Sequence, residues 1–146
     1  MTHTNLEIRK ATIADSRSIE KIENTCFSTP WSLNSIVESL KNECSVFYVA
    51  VVDNQVVGYM GLQIFSGEGY VTNIAVMPEY RKQGLALALM NKQMQNDMDF
   101  ITLEVRQSNI PAISLYDKLG FKTVGVRKNY YSNPVENAVL MTKYFK

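Results

Sequence analysis

YVTNIAVMPEYRKQGLALALM, residues Tyr70 to Met90, holds a strand, a turn and a helix start in direct succession. The β-branched and apolar run from Tyr70 to Met77 predicts a strand, and Pro78 stops it because proline cannot donate to a sheet ladder. The Leu-, Ala- and Met-rich run predicts a helix from Gly84 to Met98. Between them, Arg81 to Ala86 (RKQGLA) leads into the helix N-terminus. First-turn N–H groups there lack intrahelical acceptors and the helix dipole adds positive potential, so such a junction suits an anion. Gly84 and Ala86 leave room for a diphosphate to touch the backbone, and Arg81 and Lys82 bring charge. Neither the GxxxxGK[ST] nor the GxGxxG spacing is present. On these six residues alone, an ordinary glycine-started helix with exposed basic side chains is an equal reading.

Upstream, Leu6 and Ile8 alternate with charged neighbours as a first strand. Asp15 is a candidate cap for a helix carrying Ile19, Ile22 and Cys26 on one face. Ser32 opens a second helix with Leu33, Ile36, Val37 and Leu40. Strands at Ser45–Val52 and Gln55–Phe65 flank the Asp53-Asn54 turn. Downstream, Phe100–Arg106 reads as a strand and Pro111–Leu119 as a short helix closed by Gly120. Two last strands, Phe121–Tyr131 and Asn137–Phe145, turn around Asn133-Pro134. The order is β-α-α-β-β-β-α-β-α-β-β. The helix between the strands ending at Met77 and Arg106 makes those two a parallel pair, inside an α/β sheet that is otherwise mostly antiparallel.

At 146 residues the chain is expected to form a single domain, 1–146, large enough to need no disulfide or metal staple. Hydrophobic residues at 46% and charged residues at 20% exclude a disordered class. Fifteen basic against fourteen acidic residues leave +1, without the cationic excess that nucleic-acid binding wants. The longest clean apolar run, Val46–Val52, is far below a membrane span, and MTHTNLEIRK lacks a signal core. Cys26 and Cys44 have no metal-ligand spacing, and the single His3 falls in an expected frayed terminus. A cytoplasmic protein with reduced thiols, no metal, no membrane and no nucleic-acid partner is expected.

R-x-x-G-x-A after a strand ending Asn73-Ile-Ala-Val76 resembles the acetyl-CoA site of the GNAT superfamily of N-acetyltransferases. The resemblance continues in register through Leu103-Glu-Val-Arg106, Ser108-Asn109, Ala112-Ile113, Leu115-Tyr116 and Leu119-Gly-Phe121. Gly125-x-Arg127-x-x-Tyr130-Tyr131 follows, and Phe27-x-x-Pro30-Trp31-Ser32 stands upstream. Together these are similar to the RimI-type subgroup, bacterial acetyltransferases of a ribosomal-protein N-terminal alanine. The resemblance covers nearly the whole chain. It departs at Arg81, where Gln is common, and at Asn137, where an acidic residue often stands.

The resemblance implies a GNAT fold with a central parallel strand pair splayed apart, and acetyl-CoA held in the gap. Backbone groups of Ile74, Ala75 and Val76 would pair with the pantetheine arm. Arg81, Lys82, Gln83, Gly84, Leu85, Ala86 and Leu87 would take the pyrophosphate, and Asn109 would touch the cofactor from the next turn. Glu104 is then the candidate base; from strand alternation alone it reads better as a charge partner of Arg106. An ordinary glutamate carboxyl, near ~4.3, meets an amine near ~8 either through a water or with its own pKa raised by burial. Tyr116 is the candidate acid for the leaving thiolate, although helix periodicity alone makes it a packing residue. Trp31, Tyr130 and Tyr131 are candidate walls for a peptide acceptor.

The implied activity is acetyl transfer from acetyl-CoA to a protein N-terminal α-amine, foremost a ribosomal alanine, by direct attack in a ternary complex. Transfer to a lysine side chain, a polyamine or a small amine is the alternative enzyme, and a non-catalytic acyl-CoA sensor the alternative class. An α-amine with a pKa of about 7.7–8.0 is partly neutral near pH 7, whereas lysine at about 10.4 is not.

Overall fold

Strands and helices follow the hydrophobic pattern closely. The computed structural model describes residues 5–145; His3 lies outside them. In chain order the elements are β1 (Leu6–Lys10), α1 (Ser16–Cys26), α2 (Leu33–Lys41), β2 (Ser45–Val52), β3 (Gln55–Phe65) and β4 (Glu68–Val76). They continue as α3 (Leu85–Gln93), β5 (Phe100–Arg106), α4 (Ile110–Lys118), β6 (Lys122–Tyr131) and β7 (Glu136–Tyr144). The strands form one seven-stranded sheet in the order β1-β2-β3-β4-β5-β7-β6. The β4–β5 pair is parallel and its neighbours are antiparallel, the mixed α/β arrangement expected.

Each face of the sheet is covered by helices. Ile19, Ile22 and Ile36 of α1 and α2 pack on Phe47, Val49, Tyr59 and Ala75. On the other face, Leu85, Leu89 and Met90 of α3 and Tyr116 of α4 pack on Met60, Leu62, Ile101, Leu103 and Val105. Successive strand residues point to opposite faces. Leu103 and Val105 therefore join the α3/α4 side, and Glu104 and Arg106 face the α1/α2 side, as does Asn73, two residues from Ala75.

Two local readings are corrected. Asp15 does not cap α1 with its side chain. Its carboxylate accepts from the Thr12 N–H at 2.8 Å and from both terminal nitrogens of Arg9 at 2.8 and 2.9 Å, tying β1 to the turn before α1. The third helix ends at Gln93, not at Met98. The Gln93 amide turns inward to the carbonyls of Val46 and Met60, and Asn96 closes on the Gln93 carbonyl at 2.8 Å. Polar side chains that bond nearby backbone compete with helix continuation. Met98 is buried all the same, beyond the helix.

Candidate active site

β4 and β5 pair only at Glu68–Phe100, Gly69–Ile101 and Tyr70–Thr102, and beyond Tyr70 they part. The separation begins at a β-bulge: Gly61 faces Asn73 while Leu62 faces Val71, so Thr72 is an extra residue in β4. A bulge bends its strand and sharpens the local twist. Past it, the Met77 N–H donates to Val57 of β3 at 2.8 Å. Strand alternation accordingly turns the peptide groups of Ile74 and Val76 away from β3, into the gap. Such an unpaired edge can take an extended, amide-bearing chain as an added strand.

The gap opens into a cleft of about 550 Å³. Val71 to Ile74 and Leu103 to Arg106 form its two sides, with Glu23, Cys26, Phe27 and Trp31 at one rim. Asn109, Ala112, Tyr116 and Tyr131 are also part of the lining.

Ala75, Val76 and the loop from Arg81 to Leu87 lie outside that lining, at the C-terminal end of β4. Gly84 stands before α3 with φ +83° and Lys82 has φ +61°, so two left-handed residues curl the loop against the helix start. No side chain caps α3, so its first-turn N–H groups are available to an anion. A Cβ on Gly84 would meet nothing within 4 Å, which leaves an open approach to that backbone. These features fit a diphosphate. Leu85 is buried in the core and offers only its backbone, whereas Lys82 and Leu87 are exposed. Gln83 reaches back to the Glu79 carbonyl, and Ala86 packs against the core. Arg81 is directed elsewhere. Its Nε donates to the Val76 carbonyl at 3.0 Å and a terminal nitrogen reaches Cys26 Sγ at 3.4 Å, linking the end of β4 to α1. Asn109 caps α4 by accepting from the Ala112 N–H at 3.3 Å.

Tyr116 is buried, and that burial pushes its hydroxyl up to about 12, so it is protonated at neutral pH. A full Schellman ending of α4 fixes its place: Phe121 N–H bonds the Tyr116 carbonyl and Gly120 N–H the Asp117 carbonyl, each at 3.0 Å. The Phe121 ring packs on Tyr116 with centroids 5.6 Å apart, and Gly120 supplies the φ of +96° that the motif needs.

Glu104 is exposed on the opposite face, beside Tyr130. A hydrogen bond to the Glu104 carboxylate is the main reason that the Tyr130 hydroxyl lies above its ordinary range. Tyr131 stands edge-on to Tyr130, and burial followed by the nearby Glu104 charge pushes it up to about 12. Glu104 does not pair with Arg106. The Arg106 guanidinium bonds the carbonyls of Ser132 and Pro134 at 2.9 Å and Glu136 at 3.2 Å, and covers the Tyr131 ring at 4.5 Å. Glu136 also accepts from the Ser108 N–H, and its pKa is lowered first by the Ser108 side chain and then by that N–H and Arg106. Asn137 orders the same hairpin, accepting from the Asn129 N–H at 3.0 Å and donating to Gln107.

The sequence pattern of the Acetyltransferase (GNAT) family matches residues 16–121. The chain belongs to the GNAT acetyltransferases. It is 40% identical over 153 residues to an N-alpha-acetyltransferase of Saccharolobus solfataricus, covering 93% of this chain and 91% of that one. It is 34% identical over 140 residues to the [ribosomal protein bS18]-alanine N-acetyltransferase of Haemophilus influenzae, covering 89% and 92%. The crystal structure of the ribosomal-protein-S18-alanine N-acetyltransferase from Escherichia coli superposes with a TM-score of 0.90 at 28% identity, covering 97% and 94%. In this GNAT chain Trp31, Ile74, Glu104, Asn109, Tyr116 and Tyr131 line one opening, while Ala75, Val76, Tyr130 and the loop from Arg81 to Leu87 lie outside its lining. Glu23 and Asn73 escaped the sequence reading, although a carboxylate on the Ile19, Ile22, Cys26 stripe was a visible anomaly.

Proposed function

We propose that this chain transfers the acetyl group of acetyl-CoA to the N-terminal α-amine of a protein, in a ternary complex and without an acetyl-enzyme stage. One observation carries the reading: Glu104 and Tyr116 stand on opposite faces of the sheet, on either side of the gap between β4 and β5. The amine enters from the α1/α2 face, between Trp31 and the Tyr130-Tyr131 hairpin. Its nitrogen attacks the thioester carbonyl carbon while its proton passes to Glu104, whose exposure suits relay through a water. The gap-facing N–H of Val76 is the donor to the developing oxyanion. As the carbon–sulfur bond breaks, Tyr116 on the other face gives its proton to the thiolate. The same buried wall that keeps the phenol protonated also disfavours a free thiolate.

The pantetheine arm lies along the Ile74–Val76 edge and the diphosphate rests on the α3 N-terminus. Names of the bacterial and archaeal relatives support an α-amine acceptor. A ribosomal-protein N-terminal alanine is the acceptor we favour, and it implies a cytoplasmic reaction. A peptide beginning with alanine and containing one internal lysine tests the reading. Fragment mass spectrometry is expected to find acetyl on the first nitrogen only, and a blocked N-terminus to abolish turnover. Label on the lysine, or brisk turnover of the blocked peptide, overturns it.

A further inference from the structure

Glu23 is 1% exposed, on the α1 stripe that otherwise carries Ile19, Ile22 and Cys26. A buried carboxylate is costly unless donors surround it. Here three do, and none is a cation. Oε1 accepts from the Trp31 N–H at 2.8 Å, and Oε2 accepts from Asn73 Nδ2 at 3.1 Å and from the Tyr59 hydroxyl. Because a carboxylate only accepts, it also dictates which end of the Asn73 amide faces it.

These bonds join separate parts of the site. Trp31 belongs to the segment between α1 and α2, which is neither helix nor strand and forms one rim of the cleft. Asn73 stands in β4 immediately after the bulge, on the opposite side of that cleft. Tyr59 anchors both to β3 in the middle of the sheet. An apolar side chain at position 23 would serve the packing of α1 equally well. It would leave the Trp31 N–H and the Asn73 amide without their shared acceptor.

We propose that Glu23 is a positioning residue that holds the Trp31 rim at a set distance from β4, fixing the width of the slot through which the acceptor amine reaches the thioester. The assignment rests on the acceptor reading above for what passes through the slot. Glu23 acts through Trp31 and Asn73 and touches no reacting atom.

Trp31 is the single tryptophan of the chain, so its fluorescence reports the rim directly. In Glu23→Ala, acrylamide quenching of Trp31 is expected to rise. The KM for an alanine-first peptide is expected to rise about tenfold or more, with the KM for acetyl-CoA within about twofold of wild type. Glu23→Gln keeps a carbonyl for the Trp31 N–H, and Asn73 can turn its own carbonyl to the new amide. Quenching and peptide KM should then stay near wild type, a rescue that loss of charge alone would not give. Should Glu23→Ala fail to fold, Asn73→Ala removes the β4 tie alone and is expected to shift both readouts in the same direction. Unchanged quenching in a folded Glu23→Ala protein overturns the proposal, as does a parallel rise of both KM values. Wild-type protein inactive on peptide α-amines would instead sink the acceptor reading, and the quenching measurement would still decide whether Glu23 holds the rim.

Discussion

Arg106 pairs with Glu136 at 3.2 Å, and not with Glu104 two residues back on the same strand. Its guanidinium is bonded to the hairpin that carries Tyr131, so Arg106 leaves the Glu104 carboxylate to the cleft. Glu104→Gln should lower kcat by about 10²–10⁴ and remove the carboxylate's part of the acidic limb of the pH–rate profile. A limb that survives at full height would mean that bulk water or another group deprotonates the amine.

Tyr116→Phe removes one hydroxyl and keeps the ring that packs on Phe121. The Schellman bonds run through the backbone and survive the change. Thermal denaturation should show a Tm close to wild type, while kcat falls by about 10²–10⁴ at little cost in cofactor affinity. With its pKa near 12, wild-type Tyr116 stays protonated through neutral pH, so it imposes no alkaline fall in rate there. Wild-type turnover in Tyr116→Phe would return the residue to a packing role.

What could be read in advance divides along physical lines. β3 and β5 were legible at both ends because their apolar runs are bounded by turn and loop residues. The α4 ending was legible because Gly120 is the residue a left-handed cap requires. The divergence of β4 from β5 was not readable from pattern, since Val71 to Val76 is as strand-like as the paired part before it; only the family resemblance supplied it. Its local cause, the extra residue Thr72, changes no composition. Met94 and Met98 continue the apolar spacing and so predict a longer α3 than forms, because the inward turn of the Gln93 amide is a tertiary event. Arg81 was legible as a charge near the loop, but its bond to the Val76 carbonyl depends on where β4 ends in space.

The Asp15 carboxylate is buried and doubly bonded to Arg9, which holds its pKa below the ordinary range. A carboxyl lowered in the folded state contributes stability that is present above its unfolded pKa and lost as pH falls through the folded one. Asp15→Asn should therefore cost about 1–2 kcal/mol near pH 7, a drop of a few degrees in Tm. The gap between variant and wild type should narrow as pH falls below about 4. A gap that stays constant down to pH ~3 would show that Asp15 contributes nothing through its charge.

Gly84 makes the sharpest claim about the cofactor loop. Its φ of +83° disfavours any residue with a Cβ, so Gly84→Ala carries strain of about 1–2 kcal/mol and should lower the Tm by a few degrees. The added methyl meets no protein atom within 4 Å, so steric damage to the fold is not expected. It would project instead into the open approach to the uncapped N–H groups of α3. Loss of one charge-assisted hydrogen bond to a phosphate, about 1.5–3 kcal/mol, corresponds to roughly a ten- to hundredfold weaker Kd for acetyl-CoA. Gly84→Val should enlarge both effects. Gly125→Ala is the control, since its Cβ also meets nothing and its φ is not left-handed; Tm and Kd should both hold. Calorimetric titration of the three folded variants decides the matter. An unchanged Kd in Gly84→Ala would move the diphosphate off the α3 N-terminus, and an equal loss in Gly125→Ala would trace the effect to the fold instead of the loop.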